Sequence, residues 1–146
     1  MLERSILRER VVLYSLGAFV GVISGIAAVL LRWLILGISL VFILIPTYLG
    51  LAGWIIVPAV GGLIVAIITL KFAPEAKGHG VPEVMEAYSL RGGKMRLRVP
   101  FIKSIASACS IGSGGSCGRE GPIAQIGAGV GSSIASFLKL GKRETK

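Results

Sequence analysis

Two long uncharged runs constrain this chain more than anything else in it. Val11–Leu31 is twenty-one residues without a charge, and Trp33–Leu70 contains none either. A bilayer core of ~30 Å takes about twenty apolar residues as a helix, so each run is long enough to cross. Hydrophobic residues make up 53% of the chain and charged residues only 16%, and the mean hydropathy is +0.81. The expectation is an all-α integral membrane protein. A cleaved signal peptide accounts poorly for the first run, which is too long and lacks a small-residue cleavage pattern leading into a soluble domain.

Charge placement sets the expected orientation. The net charge is +9, from sixteen basic and seven acidic residues. Arg4, Arg8 and Arg10 precede the first run; Lys71, Lys77, Arg91, Lys94, Arg96, Arg98 and Lys103 lie in or beside a polar middle; Lys139, Lys142, Arg143 and Lys146 close the chain. Clusters flanking apolar runs argue against a nucleic-acid partner. The turn Pro46–Trp54 has no basic residue. The positive-inside rule therefore places the N-terminus, the 71–103 loop and the C-terminus in the cytoplasm, in a multi-pass arrangement. Cys109 and Cys117, eight apart, match no metal or redox spacing and suit helix packing. A single His cannot build a metal site, and no nucleophile–base set supports an enzyme.

Val11–Ile45 is thirty-five residues interrupted only by Arg32. As a helix it exceeds ~50 Å, so it must tilt strongly or break near Arg32 and Gly37. Gly17, Gly21 and Gly25, four apart, predict a smooth packing stripe. Gly53–Leu70 returns across the membrane, interrupted by Pro58 and Gly61-Gly62. The polar middle holds a short helix over Pro82–Leu90. Val99–Ile111 has thirteen residues and Pro122–Leu138 seventeen, both short for a full span. Two short apolar segments meeting at a glycine-rich break mark discontinuous helices around a midplane site. In the second, Gly127, Gly131 and Ala135 share one face. The whole of 1–146 reads as a single membrane unit with no soluble domain.

The break carries the chemistry. Gly112-Ser-Gly-Gly-Ser-Cys-Gly-Arg-Glu-Gly-Pro leads into the last apolar segment, and Glu120 is the only acid between Tyr88 and Arg143. An ionisable residue there is expensive and marks a functional site by default. Gly78-His-Gly-Val-Pro and Gly118-Arg-Glu-Gly-Pro share a form, each with Pro just after Gly and a helix beyond. Proline suits the first helical turn. Glycine permits φ > 0 and a close approach to a ligand. Free N–H groups and the helix dipole then hold an anion without a full positive charge. A phosphate loop is excluded, since no Gly-Lys-Ser/Thr follows, and GxGxxG fails at Cys117. Glu83 and Glu86 fit first-turn acids complementing a dipole. Arg119 is assigned no chemistry, and His79 is a polar lining position or a solvated loop residue.

Two blocks carry a resemblance. Lys71-Phe-Ala-Pro-Glu-Ala-Lys-Gly-His-Gly-Val-Pro-Glu-Val and Gly118-Arg-Glu-Gly-Pro-Ile-Ala-Gln-Ile-Gly are similar, in that order, to the GSGxP and G(K/R)EGP segments of the CLC family of chloride channels and chloride/proton exchangers. The resemblance implies that Glu120 is a gating glutamate whose carboxylate occupies an anion site and swings away when protonated or displaced. It implies an anion site drawn from Gly78, His79, Gly80, Val81 and Pro82 and from Gly118, Arg119, Glu120, Gly121 and Pro122. Amides of Arg119, Glu120 and Gly121 would line its outer part, and those of His79 and Gly80 its inner part. His79 stands where many members have serine.

Family members build each pore from two inverted repeats in a much longer chain. The resemblance therefore covers roughly the first half of one repeat, a long tilted helix plus half-spanning helices. The GxFxP segment, the completing tyrosine, the internal proton-transfer glutamate and the dimer-forming helices are absent from these 146 residues. The expectation is the N-terminal portion of a chloride transport protein, channel or exchanger, with chloride as the transported ion and no cofactor. Its partners would be the lipid bilayer and, in a full-length member, a second copy as a homodimer. The alternative is a non-transporting truncated fragment or helical packing partner.

Overall fold

The computed structural model describes residues 2–73, 80–96 and 98–141, with side chains from Val11 onward. Among them lie five helices and no strand: α1 (Leu2–Leu49), α2 (Leu51–Phe72), α3 (Gly80–Ser89), α4 (Arg98–Gly112) and α5 (Glu120–Phe137). The all-α expectation holds, and α1 and α2 are long and apolar enough to cross a membrane.

Of the two alternatives for the long first run, strong tilt or a break near Arg32 and Gly37, the break is not there. α1 runs 48 residues without interruption, about 72 Å at 1.5 Å per residue. A helix satisfies its own backbone through a glycine or an arginine, so neither residue forces an end. Its apolar part, Val11–Leu49, is about twice the ~30 Å hydrocarbon thickness and fits only steeply inclined. The polar lead before Val11 continues the same helix rather than forming a separate one.

The expected nine-residue turn, Pro46–Trp54, shrinks to one residue. Gly50 at φ 60° joins α1 to α2, its amide donating to the Pro46 carbonyl at 2.8 Å while Gly53 N–H donates back to Gly50 O at 3.0 Å. Only a residue without a Cβ takes that φ cheaply. Gly53 lets the helices close, because a Cβ there would lie 2.5 Å from Pro46 Cα. Nor do Pro58 and Gly61-Gly62 interrupt α2. Gly61 instead receives α4, since a Cβ on it would occupy the place of the Ser113 hydroxyl.

α4 is the hub, packed against α1, α2 and α5. Its Ala108 is fully buried in a core with Leu31 and Ile35 of α1 and Ile126 of α5. A Cβ on Gly112 would come 2.7 Å from Ile38 Cγ2, so the end of α4 is seated directly on α1. α3 packs on α5.

The first glycine stripe does not pack: a Cβ on Gly17, Gly21 or Gly25 would meet nothing within 4 Å among the described residues. The second packs in part, with Gly127 open, a Cβ on Gly131 3.7 Å from Val20 Cγ1, and Ala135 buried. Gly129, off both stripes, makes the tightest contact, with Pro100 Cγ 2.6 Å from where its Cβ would stand. Spacing four identifies a face but not which face finds a neighbour. Outside these contacts α1 and α2 present large apolar side chains outward, Trp33, Trp54 and Ile55 among them, a surface suited to lipid or further protein.

Gly129→Val should therefore destabilise the α4–α5 pair by about 1–3 kcal/mol through overpacking. Gly127→Ala should be neutral or mildly stabilising. Reversible unfolding in detergent followed by circular dichroism checks both, and equal effects would refute the packing assigned to Gly129.

Candidate functional site

The glycine-rich run divides into two parts with different jobs. Its first part ends a helix. Gly115 N–H donates to Ser110 O at 2.8 Å, Gly114 N–H donates to Ile111 O at 3.0 Å, and Gly114 has φ 86°. That is the Schellman pattern of a helix C-terminus, with glycine in the left-handed position. The free hydroxyl of Ser113 also folds back, donating to Ser110 O at 3.0 Å. Cys117, exposed, points its thiol at the Ser110 hydroxyl at 3.3 Å. Cys109 is half-buried on α4.

The second part starts a helix. α5 begins at Glu120, two residues before the expected start, so Pro122 is its third residue. Arg119 is the N-cap in α-helical conformation (φ −85°, ψ −14°), and no side chain caps the turn. The first intrahelical bond in the turn runs from Ile123 N–H to Arg119 O at 3.1 Å. Pro122 has no amide to satisfy, and the N–H groups of Glu120 and Gly121 lie ahead of the helical ladder. α3 likewise begins at Gly80, with Pro82 third.

The two starts meet. A Cβ on Gly80 would coincide with the Gly121 carbonyl group, 2.6 Å from its carbon and 3.0 Å from Gly121 Cα; one on Gly121 would lie 3.2 Å from Gly80 N. Backbone touches backbone. Neither glycine needs positive φ, which among described glycines occurs at Gly50, Gly92, Gly93 and Gly114. The sequence argument for φ > 0 is thus corrected: here glycine serves close approach.

Of the ten residues singled out for anion binding, Gly80 and Gly121 form the contact. Val81 and Pro82 are exposed beside it, Pro122 is buried behind it, and Gly118, Arg119 and Glu120 are exposed on its α5 side. Gly78 and His79 lie outside the described residues. The Glu120 carboxylate folds back over Gly118, where a Cβ would clash with Oε2 and sit 3.1 Å from Cδ. Glycine at 118 is what lets the carboxylate rest at its own helix start.

Glu83 and Glu86 part company. Glu83 is in the first turn of α3, and its Oε2 accepts from Gln125 Nε2 at 2.7 Å. Glu86 lies a turn further on and pairs with Arg91 at 2.7 Å on the surface, correcting its assignment as a first-turn acid. Gln125 was missed by the sequence reading, yet it had a signal: it is the only carboxamide side chain in the chain, and it sits mid-helix in an apolar segment. Lys103 of α4 lies near enough to Glu83 for their charges to interact. It lines a cleft of about 490 Å³ between α2 and α4 with Thr69, Ser107, Ser110 and Cys117.

Comparison with known proteins points one way. The family model described as Voltage gated chloride channel matches residues 61–146. A ClcB-like chloride channel protein of Ralstonia nicotianae is 35% identical over 101 residues, 66% of this chain and 23% of that protein. The H(+)/Cl(−) exchange transporter ClcA of Vibrio cholerae is 36% identical over 76 residues, 52% of this chain and 16% of that protein. Its namesake in Citrobacter koseri is 34% identical over the same length and shares. The chain thus spans under a quarter of the length of these relatives. No solved structure matches it. With α3 and α5 both inside the matched region, the chain belongs to the voltage gated chloride channel family.

Proposed function

We propose that this chain supplies part of a chloride pathway, with a dehydrated anion held at the paired starts of α3 and α5. The observation that carries the reading is the contact of Gly80 with Gly121. It brings two partial positive helix ends together at one point, beside a first turn that no side chain caps. Relatives named as a chloride channel and as proton/chloride exchange transporters support chloride as the cargo. No cofactor is needed for this task. Amides supply attraction without a fixed full charge, so the ion can leave again.

Glu120 is the gate in this reading. Resting over Gly118 at the start of α5, an ionised carboxylate competes with the anion for the same amides. Once protonated, it loses that attraction and yields. Gly80 through Pro82 and Gly118 through Pro122 form the described part of the site, and the family resemblance adds Gly78 and His79 to it. The termini and the 71–103 loop face the cytoplasm, following the basic clusters, and complete family members pair as homodimers.

Purified and reconstituted in liposomes, the 146-residue chain should show no chloride-specific flux above empty vesicles, because one pair of helix starts cannot enclose an ion. Specific flux from it would overturn that expectation. In a complete transporter carrying these residues, Glu120→Gln should flatten the pH dependence of chloride movement. A pH response unchanged from the parent would remove Glu120 from the gating role.

A further inference from the structure

Gly80 and Gly121 touch at a single point, and a single point leaves two helices free to pivot about it. One turn deeper lies a second contact. Glu83 is three residues beyond Gly80, and Gln125 is four beyond Gly121, so each pair shares a helix face. The Gln125 Nε2–Glu83 Oε2 bond of 2.7 Å therefore spans the same α3–α5 interface as the glycine contact. Together the two contacts fix separation and rotation. We propose that Gln125 and Glu83 are positioning residues that hold the two helix starts in register, an inference that rests on reading those starts as the anion site.

The chemistry of the pair is specific. Gln125 is fully buried, where a leucine or methionine would pack at no polar cost. An ionised carboxylate only accepts, so the amide must turn its NH₂ toward Glu83. Its Oε1 is thereby directed elsewhere, and it is buried with no hydrogen-bond partner among the described residues. A charge-assisted bond to Glu83 is what offsets that orphaned oxygen. Lys103 acts on the same carboxylate from α4, so three helices converge on one acid. Further along the same face of α5, buried Ser132 accepts the Met95 amide at 2.7 Å, tying down the segment that follows α3. Gly121, Gln125 and Ser132 thus form a column that binds α3 and its exit.

The test reads geometry and anion binding separately. Nitroxide labels at Val81 and Ile123, both exposed in the first turns, report the separation of the starts by pulsed electron resonance in a Cys109→Ala, Cys117→Ser background. The parent should give one narrow distance distribution. Gln125→Leu should broaden it at least twofold, and Gln125→Asn, one methylene too short to reach, should do likewise. Glu83→Gln, whose amide oxygen still accepts from Nε2, should keep it narrow. In a complete transporter carrying these residues, chloride binding by calorimetry should weaken about tenfold with Gln125→Leu and less than threefold with Glu83→Gln. A narrow distribution in Gln125→Asn or in a still-helical Gln125→Leu would overturn the proposal. So would Glu83→Gln as broad as Gln125→Leu, which would transfer the role to the charge pair with Lys103. If the distances behave as expected but no variant, parent included, binds chloride, the register role stands and the anion-site reading falls.

Discussion

Two helix N-termini held in contact are the constraint on which the rest of this structure depends. Each end carries roughly half a positive charge. At about 5 Å and an effective dielectric of about 20, two such ends repel by about 1 kcal/mol. A first-turn acid returns about 0.3–1 kcal/mol at each helix, and each helix has one: Glu83 in α3 and Glu120 in α5. Their roles diverge from there. Glu83 is engaged sideways by Gln125, whereas Glu120 is exposed over Gly118. One acid is fixed in the interface, and the other stays exposed at its own helix start.

Seating α5 for that contact falls to α4, which packs on α1, α2 and α5. It is short, and its contacts are built from small groups: fully buried Ala108, Gly112 against Ile38, Ser113 in the gap left by Gly61, and Pro100 in the gap left by Gly129. In lipid there is little hydrophobic drive to bring helices together, so close backbone approach has to supply the attraction. Each glycine that matters is spent on a different neighbour, which is why α4 can touch α1, α2 and α5 at once. α5 is then set on a rigid base, and its start is aimed at the start of α3.

The helices themselves were legible because lipid leaves so few alternatives. The expected segments Val11–Ile45 and Gly53–Leu70 became α1 and α2, and the short apolar segments became α4 and α5 with ends shifted by one or two residues. Of the alternatives for the long first run the unbroken one holds, and Pro58 and Gly61-Gly62 stay inside α2, since membrane helices carry such residues when neighbours or the helix itself satisfy the backbone. The glycine run looked like one ligand-facing loop, but half of it caps α4, and nothing short of backbone angles separates the two uses. The two helix starts were visible as Gly-Val-Pro and Gly-Pro, and the family resemblance implied that they converge, but not which residues touch. Gly80 and Gly121 are distant in sequence, and so are Glu83 and Gln125, 42 residues apart. A lone carboxamide in an apolar helix hints that it has a partner without saying where.

What the paired starts can do alone is limited by their exposure. Gly118, Glu120 and Val81 are open on the side away from Pro122, so an ion there would keep water on that side. Selectivity of the kind amides provide requires that they replace a hydration shell, and replacement requires donors from several directions. The described first turns converge from two. The same logic reaches the outer faces of α1 and α2, where open glycines at 17, 21 and 25 and outward Trp33 and Trp54 offer smooth apolar surface without a neighbour among the described residues. Two first turns that meet backbone to backbone and stay exposed on one side can offer donors only from the side of their contact.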